Sequence, residues 1–322
     1  MIITKCPLRI SIVGGGTDLP LFCNEYSGNT TTIAINKFIY IALHNYFDEK
    51  VSRIRYSKLE EVNQISDVNH NIFREVLMKY RLKNIEVSSI ADIRSGSGLG
   101  SSSSFTNALI AACHVNKGAE INRSLIAQES SEIEIERLNY DIGRQDHYST
   151  AFGGFQNLEF NGTSVERKAL QNLKIQQLFD KIILINTGPR STSVYERKQV
   201  IFKKLNDEKI QILIELANLS REYYKCIQRL DFDSTYEVLQ LGWDLKKKTH
   251  DILLNPSVSS VISHLNELGA KSFKLLGSGG GGFIMVYEKN SKIYQQINRD
   301  FDKHILRVSY ASEGIQLIEK SG

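Results

Sequence analysis

The sequence predicts an α+β protein, on three observations. Strand-like and helix-like segments alternate along the chain. Hairpin-like strand runs interrupt that alternation, which argues against a doubly wound parallel sheet. Three glycine-rich loops each follow an apolar, strand-like run. With 322 residues, 41% hydrophobic and 24% charged, the chain has apolar mass for a core and length for two domains. The expected halves are residues 1–165 and 166–322, divided at the Gly/Asn-bearing stretch near 161–170.

Residues 2–13 alternate loosely and read as a strand; 31–47 (TTIAINKFIYIALHNYF) are β-branched and aromatic and read as one or two more. The spacing predicts a helix over 70–81 and a strand over 85–93. After the run SGSGLGSSSS a helix extends to Asn116, with Phe105, Ala108, Leu109 and Ala112 on one face. Another helix covers about 123–138, and GRQDHYSTAFGGF after it reads as a Gly-bounded segment. Strands follow at 154–160 and 181–186, then helical patterns at 192–229, 234–250 and 258–269. SFKLL and FIMVY read as strands flanking GSGGGG. A helix over 291–302 and a strand over 305–310 end the pattern.

The charge balance, 40 basic against 36 acidic residues, is too even and too scattered for a nucleic-acid binder. Lys246-Lys247-Lys248 reads as a solvated helix face. Cys6, Cys23, Cys113 and Cys226 lie far apart without a C-x-x-C, so they form neither a disulfide framework nor a zinc site. The histidines show no metal-ligand spacing. No apolar stretch approaches the roughly 20 residues that span a bilayer, and no signal-peptide pattern stands at the N-terminus. A cytoplasmic protein with reduced thiols is expected, with neither nucleic acid nor membrane as partner. Oligomeric state leaves no mark in the sequence.

The loop Gly96-Ser97-Gly98-Leu99-Gly100-Ser101-Ser102-Ser103 lies between a strand and a helix. Its glycines let backbone approach a ligand, and the helix N-terminus behind it offers unpaired N–H groups and partial positive charge. That is an anion site, most often for phosphate. The serine hydroxyls suit phosphate oxygens or Mg²⁺. No G-K-[ST] occurs, so this is not a Walker A loop. The loop at 277–282 satisfies G-x-G-x-x-G literally, but a strand follows where the dinucleotide fingerprint needs a helix. It reads as close backbone contact with a ligand or a neighbouring loop, or as a plain hairpin turn. In the third loop, Gly14-Gly15-Gly16-Thr17-Asp18, Thr17 and Asp18 suit a polyol, or Asp18 caps a helix.

Together the segments CPLRISIVGGGTD (6–18), GSGLGSSSS (96–104) and KLLGSGGGGF (274–283) resemble the galactokinase–homoserine kinase–mevalonate kinase–phosphomevalonate kinase (GHMP) family. Within it, EIEIERLNYDIGRQDHYSTAFGGF (132–155), TGPRSTS (187–193) and WDLKK (243–247) are similar to D-glycero-D-manno-heptose 7-phosphate kinases. The chain departs from that pattern at Arg94-Ser95, where such loops carry Pro, and at His147, where Gln or Asn is usual.

The resemblance implies an N-terminal half like the second domain of ribosomal protein S5, a ferredoxin-like C-terminal half, and a cleft between them. It implies an ATP- and Mg²⁺-dependent kinase acting on the anomeric hydroxyl of a sugar phosphate. Asp146 matches the residue that orients, and deprotonates, the acceptor hydroxyl. Arg9 matches the basic residue that keeps it ionised. Residues 96–103 would hold ATP. Ser102 would hold Mg²⁺ with Glu134 or Glu136, the subgroup's I-E pattern favouring Glu134. Asp18, with Thr17 and Gly16, would meet the sugar, as would Gly279 and Gly280. Arg190 is the candidate for the substrate's distal phosphate, ahead of Lys246 and Lys247. Trp243 reads as core. The nearest rival is another GHMP sugar kinase, of the fucose or galactose type; a non-catalytic sugar or nucleotide sensor on the same fold is the rival from another class.

Overall fold

Two sheets organise the chain in a computed structural model that describes residues 1–170, 175–189, 205–249, 255–277 and 279–321. The first sheet begins with β1 (Ile2–Val13). Helix α1 (Pro20–Cys23) follows, then β2 (Gly28–Asn45), antiparallel to β1 with Ile10 opposite Ile33. Next come β3 (Ser52–Arg55), β4 (Leu59–Val62), α2 (Asn71–Lys79) and β5 (Ile85–Ala91). β5 lies against β2 and pairs in parallel with β3. Helices α3 (Ser101–Asn116), α4 (Arg123–Ser131) and α5 (Gln145–Phe152) precede a hairpin of β6 (Phe155–Asn161) and β7 (Ser164–Leu170). β6 pairs with the start of β2.

The second sheet follows α6 (Ile175–Phe179). Its parts are β8 (Ile182–Asn186), α7 (Asp207–Arg229), α8 (Phe232–Thr249), α9 (Pro256–Glu267), β9 (Phe273–Leu275), β10 (Phe283–Tyr287), α10 (Ser291–Asp300) and β11 (Ile305–Leu306). Its strand order is β11-β8-β10-β9, every pair antiparallel. Last, first, third, second is the ferredoxin-like arrangement expected for this half. The chain then returns: β12 (Gln316–Lys320) pairs with the outer edge of β1.

Residues 6–13 of β1 and 28–35 of β2 are buried on both faces, which is why these stretches are rich in Ile, Leu and Thr. On one face Ile41, Leu43 and Val87 pack with Phe73, Val76, Leu109, Ile110 and Ile126 of the helices. On the other, Leu8, Ile10, Ile33 and Ile35 share a core with Tyr223 and Ile227 of α7 and Leu184 and Met285 of the second sheet. Each such side chain contributes about 1.5–3 kcal/mol. Trp243 is buried with Val258 and Phe273, as core.

Several elements depart from the expected pattern. β3 and β4 form a short hairpin whose β4 is half solvent-facing. β7 (SVERKAL) is charged and largely exposed, so it has no apolar period. β12 is an exposed edge whose Leu317 and Ile318 are adjacent rather than alternating. α5 carries too few apolar residues to announce a helix. The strand expected over 305–310 is two residues long. The Gly/Asn stretch near 161–170 is the β6–β7 hairpin, with Asn161 opposite Ser164.

Candidate active site

Arg9 sits in the middle of β1. Its backbone N–H donates to the Leu99 carbonyl at 2.9 Å and Nη1 donates to the Gly98 carbonyl at 2.8 Å, tying strand to loop. Nε donates to Asp146 Oδ1 at 2.7 Å and Nη2 to Oδ2. This is a bidentate fork, the geometry in which arginine holds a carboxylate best. Arg9 is 3% exposed, while a quarter of the Asp146 side chain remains open. Asp146 lies in the first turn of α5, where the helix dipole also favours negative charge.

The phosphate loop is pinned from behind. Leu99 is wholly buried and packs with Leu8 and Ile10. Gly100 takes left-handed backbone, φ 76°, and starts α3, so the N–H groups of its first turn open toward the loop. Ser102 Oγ donates to Glu134 Oε2 at 2.6 Å and Thr106 Oγ1 to Oε1 at 2.7 Å. Glu134 belongs to a turn of π-helix, Glu132–Arg137, that widens the end of α4; such turns often mark functional positions. In it Glu134 is wholly buried and Glu136 is exposed. Of the two carboxylates, Glu134 is therefore the one that meets Ser102. Burial opposes its charge, but the adjoining His147 ring and the two hydroxyls hold its carboxyl below the ordinary range. His147 Nε2 lies 3.3 Å from Glu134 Oε1, and neither ring nitrogen has a hydrogen-bond partner among the described residues.

Beyond Arg9 the cavity wall changes character. Asp18 is buried and accepts from Gly16 N at 3.1 Å, Gln145 N at 3.0 Å and Gln145 Nε2 at 3.3 Å. Burial pushes its carboxyl above the ordinary range, and the Asp146 charge adds to that. Gly143 is closed against it: a Cβ there would lie 1.8 Å from Asp18 Oδ2. Lys246 Nζ donates to Gly15 O at 2.6 Å. Lys274 Nζ donates to Ser11 O at 3.0 Å and Ile12 O at 2.8 Å.

These groups line one cavity of about 370 Å³, a size suited to a small ligand. Gly96, Gly98, Gly100, Ser101, Ser102 and Ser103 line it, as do Arg9, Asp146, Glu134, Gly16 and Asp18. Two family models match the chain: GHMP kinases N terminal domain over residues 65–154 and GHMP kinases C terminal over 223–303, together more than half its length. The chain belongs to the GHMP kinase family. Members use ATP as phosphate donor.

Relatives extend over the whole kinase. A D-glycero-alpha-D-manno-heptose 7-phosphate kinase of Campylobacter jejuni is 27% identical over 97% of both chains. A galactokinase of Thermotoga neapolitana is 19% identical over 98% of this chain and 99% of its own. The crystal structure of a D-glycero-D-manno-heptose 1-phosphate kinase from Bacteroides thetaiotaomicron superimposes with a TM-score of 0.80 at 19% identity, covering 100% of both chains.

Several expected residues sit elsewhere in the kinase. Thr17 is turned away from the cavity: Oγ1 donates to Gly14 O and Asn29 O and accepts from Asn29 N, which fastens the loop to β2. Ser97 and Leu99 support the phosphate loop without lining the cavity. Gly279 and Gly280 are buried behind Gly277, which lines it, and Gly280 O accepts from Asn255. Their loop meets another loop: at Gly282, φ 102°, a Cβ would lie 2.4 Å from Ser97 O. Arg190 lies outside the described residues. Lys274 and Gln145 were not anticipated. The signal for Lys274 is a lysine inside the apolar strand SFKLL, where a charge without a task is costly.

Proposed function

We propose that the kinase transfers the γ-phosphoryl group of ATP to the anomeric hydroxyl of D-glycero-D-manno-heptose 7-phosphate, giving the 1,7-bisphosphate. The observation that carries the chemistry is the Arg9–Asp146 fork set beside the Ser102–Glu134 pair at the mouth of a glycine loop. Full-length similarity to the Campylobacter heptose 7-phosphate kinase supports the substrate class.

Phosphoryl transfer asks for positioning and charge stabilisation more than for covalent chemistry. Asp146 accepts a hydrogen bond from the sugar hydroxyl and takes its proton as the phosphoryl group moves. Arg9 holds that carboxylate in place and adds positive charge where negative charge grows. Loop N–H groups from Gly96 to Ser103 receive the nucleotide phosphates. Asp18, held by Gln145 and Gly16, receives a sugar hydroxyl. Ser102 Oγ and Glu134 Oε2, a hydroxyl and an ionised carboxylate 2.6 Å apart at the cavity, suit Mg²⁺, a hard cation that takes few protein oxygens and completes its shell with phosphates and water. When bound, Mg²⁺ supplies charge neutralisation on the β- and γ-phosphates.

ADP release, measured with ATP, Mg²⁺ and a panel of heptose 7-phosphate, mannose, fucose, galactose and their phosphates, tests this. Turnover restricted to heptose 7-phosphate is the expected result. Efficient turnover of a neutral hexose would overturn the substrate and keep the family.

A further inference from the structure

Phosphoryl transfer as described uses neither of two lysines in the cavity wall. Lys246 lies in the last turn of α8, and Lys274 in β9 ahead of the second glycine loop. Main-chain carbonyls hold both ammonium groups: Gly15 O that of Lys246, Ser11 O and Ile12 O that of Lys274. Among the described residues Lys274 forms no ion pair; its charged neighbours are Lys246 and Arg9. Burial, with those cations, holds Lys274 down at about 7, and burial holds Lys246 at about 8 despite Asp18 nearby. Cations gathered in a half-buried cavity wall are stabilised by an incoming anion.

Position says which anion. Arg9, Ser11 and Gly15 succeed one another along β1 and its loop, at about 3.3 Å per residue in the strand. Lys246 Nζ sits against Gly16 and near Asp18, and Lys274 Nζ against Ser11 and Ile12, so both lie toward the Asp18 side of the Arg9–Asp146 pair. The phosphates of the nucleotide are accounted for at the phosphate loop, so a further anion here belongs to the acceptor.

We propose that Lys246 and Lys274 hold the phosphate the acceptor already carries, and so make the kinase select a sugar phosphate over the free sugar. This rests on the reading of the protein as a kinase of a phosphorylated sugar.

The test compares kcat/KM for heptose 7-phosphate and for the unphosphorylated heptose in the wild type, Lys246→Met, Lys274→Met and Lys274→Arg. Each methionine variant is expected to lose about 10- to 100-fold on the phosphorylated sugar, the range of a charge-assisted hydrogen bond, chiefly in KM. The preference for phosphate falls by the same factor, KM for ATP stays within about twofold, and Lys274→Arg regains part of the loss. A measurement on the wild type guards against variants that do not fold. Heptose 7-phosphate, and not heptose or ATP, should protect Lys246 and Lys274 from acetylation by limiting acetic anhydride, mapped by mass spectrometry. An unchanged phosphate preference in both methionine variants, or absent protection, overturns the subsite. Loss of preference confined to Arg190→Ala overturns it too and moves the contact to residue 190. A wild type that uses free and phosphorylated heptose equally refutes the substrate reading itself. A wild type that prefers the phosphate, with variants that lose both sugars equally, refutes the lysines alone.

Discussion

The two ends of the cavity are built differently. The end proposed for the nucleotide phosphates is one continuous stretch of chain, Gly96 to Ser103, held by a strand before it and a helix after it. It offers mostly backbone N–H groups, so its shape follows from glycine placement and a helix start. The end proposed for the acceptor is assembled from side chains of distant segments: Asp18 after β1, Gln145 from α5, Lys246 from α8, Lys274 from β9. A contiguous site depends on local conformation and tolerates change around it. An assembled one depends on every element that delivers a residue, and on burial of groups that would otherwise be solvated.

Substitutions should separate the two ends. The largest effect is expected between them: Asp146→Asn should lower kcat by about 10²- to 10⁴-fold and leave ATP binding, measured by calorimetry, within about twofold. Equal loss of ATP affinity would join what is here described as two ends. At the phosphate end, Glu134→Gln should raise the Mg²⁺ concentration for half-maximal rate by about 10- to 100-fold, with no change in KM for sugar at saturating Mg²⁺. At the acceptor end, Gly143→Ala should push Asp18 out of its cradle. The overpacking should remove about 1–3 kcal/mol of stability in urea denaturation and raise KM for sugar with that for ATP unmoved.

The smallest effect is one of pH. Lys274 and Lys246 titrate in the folded protein at about 7 and about 8, below the ordinary lysine value of 10.5. Below both values the folded and unfolded chains are equally charged and the burial penalty is fully present. Between about pH 7 and 9 the folded protein sheds these protons while the unfolded chain keeps them, so stability without ligand should rise with pH. The double variant Lys246→Met, Lys274→Met should flatten that slope. A slope unchanged in the double variant would show that the two ammonium groups are not its source.

The same contrast explains what could be read before the fold was known. β1, α3 and the phosphate loop follow from apolar period and glycine position, and so do β9 and β10 around the second loop. Asp146 and Arg9 came from resemblance; spacing alone does not bring residues 137 apart into a fork. Thr17 was misplaced because a hydroxyl beside a polyol candidate looks the same in sequence whether it faces a ligand or caps the turn beside Asn29. Glu134 and Glu136 needed the π-turn to be told apart, since its widened spacing is not written in any periodicity. Lys274 hid in a strand whose neighbours are apolar. β7 and β12 escaped because solvent-facing edges need no hydrophobic pattern.

β12 also bears on the order in which the molecule is finished. Residues 316–320 fill the outer edge of the strand that bears Arg9, and Ile315 N donates to Ala151 O at the end of the helix that bears Asp146. During synthesis, β1 keeps an unpaired edge until these residues emerge, after all three glycine loops exist. The guanidinium and its carboxylate thus rest in a frame whose outer edge is supplied by a segment far along the chain.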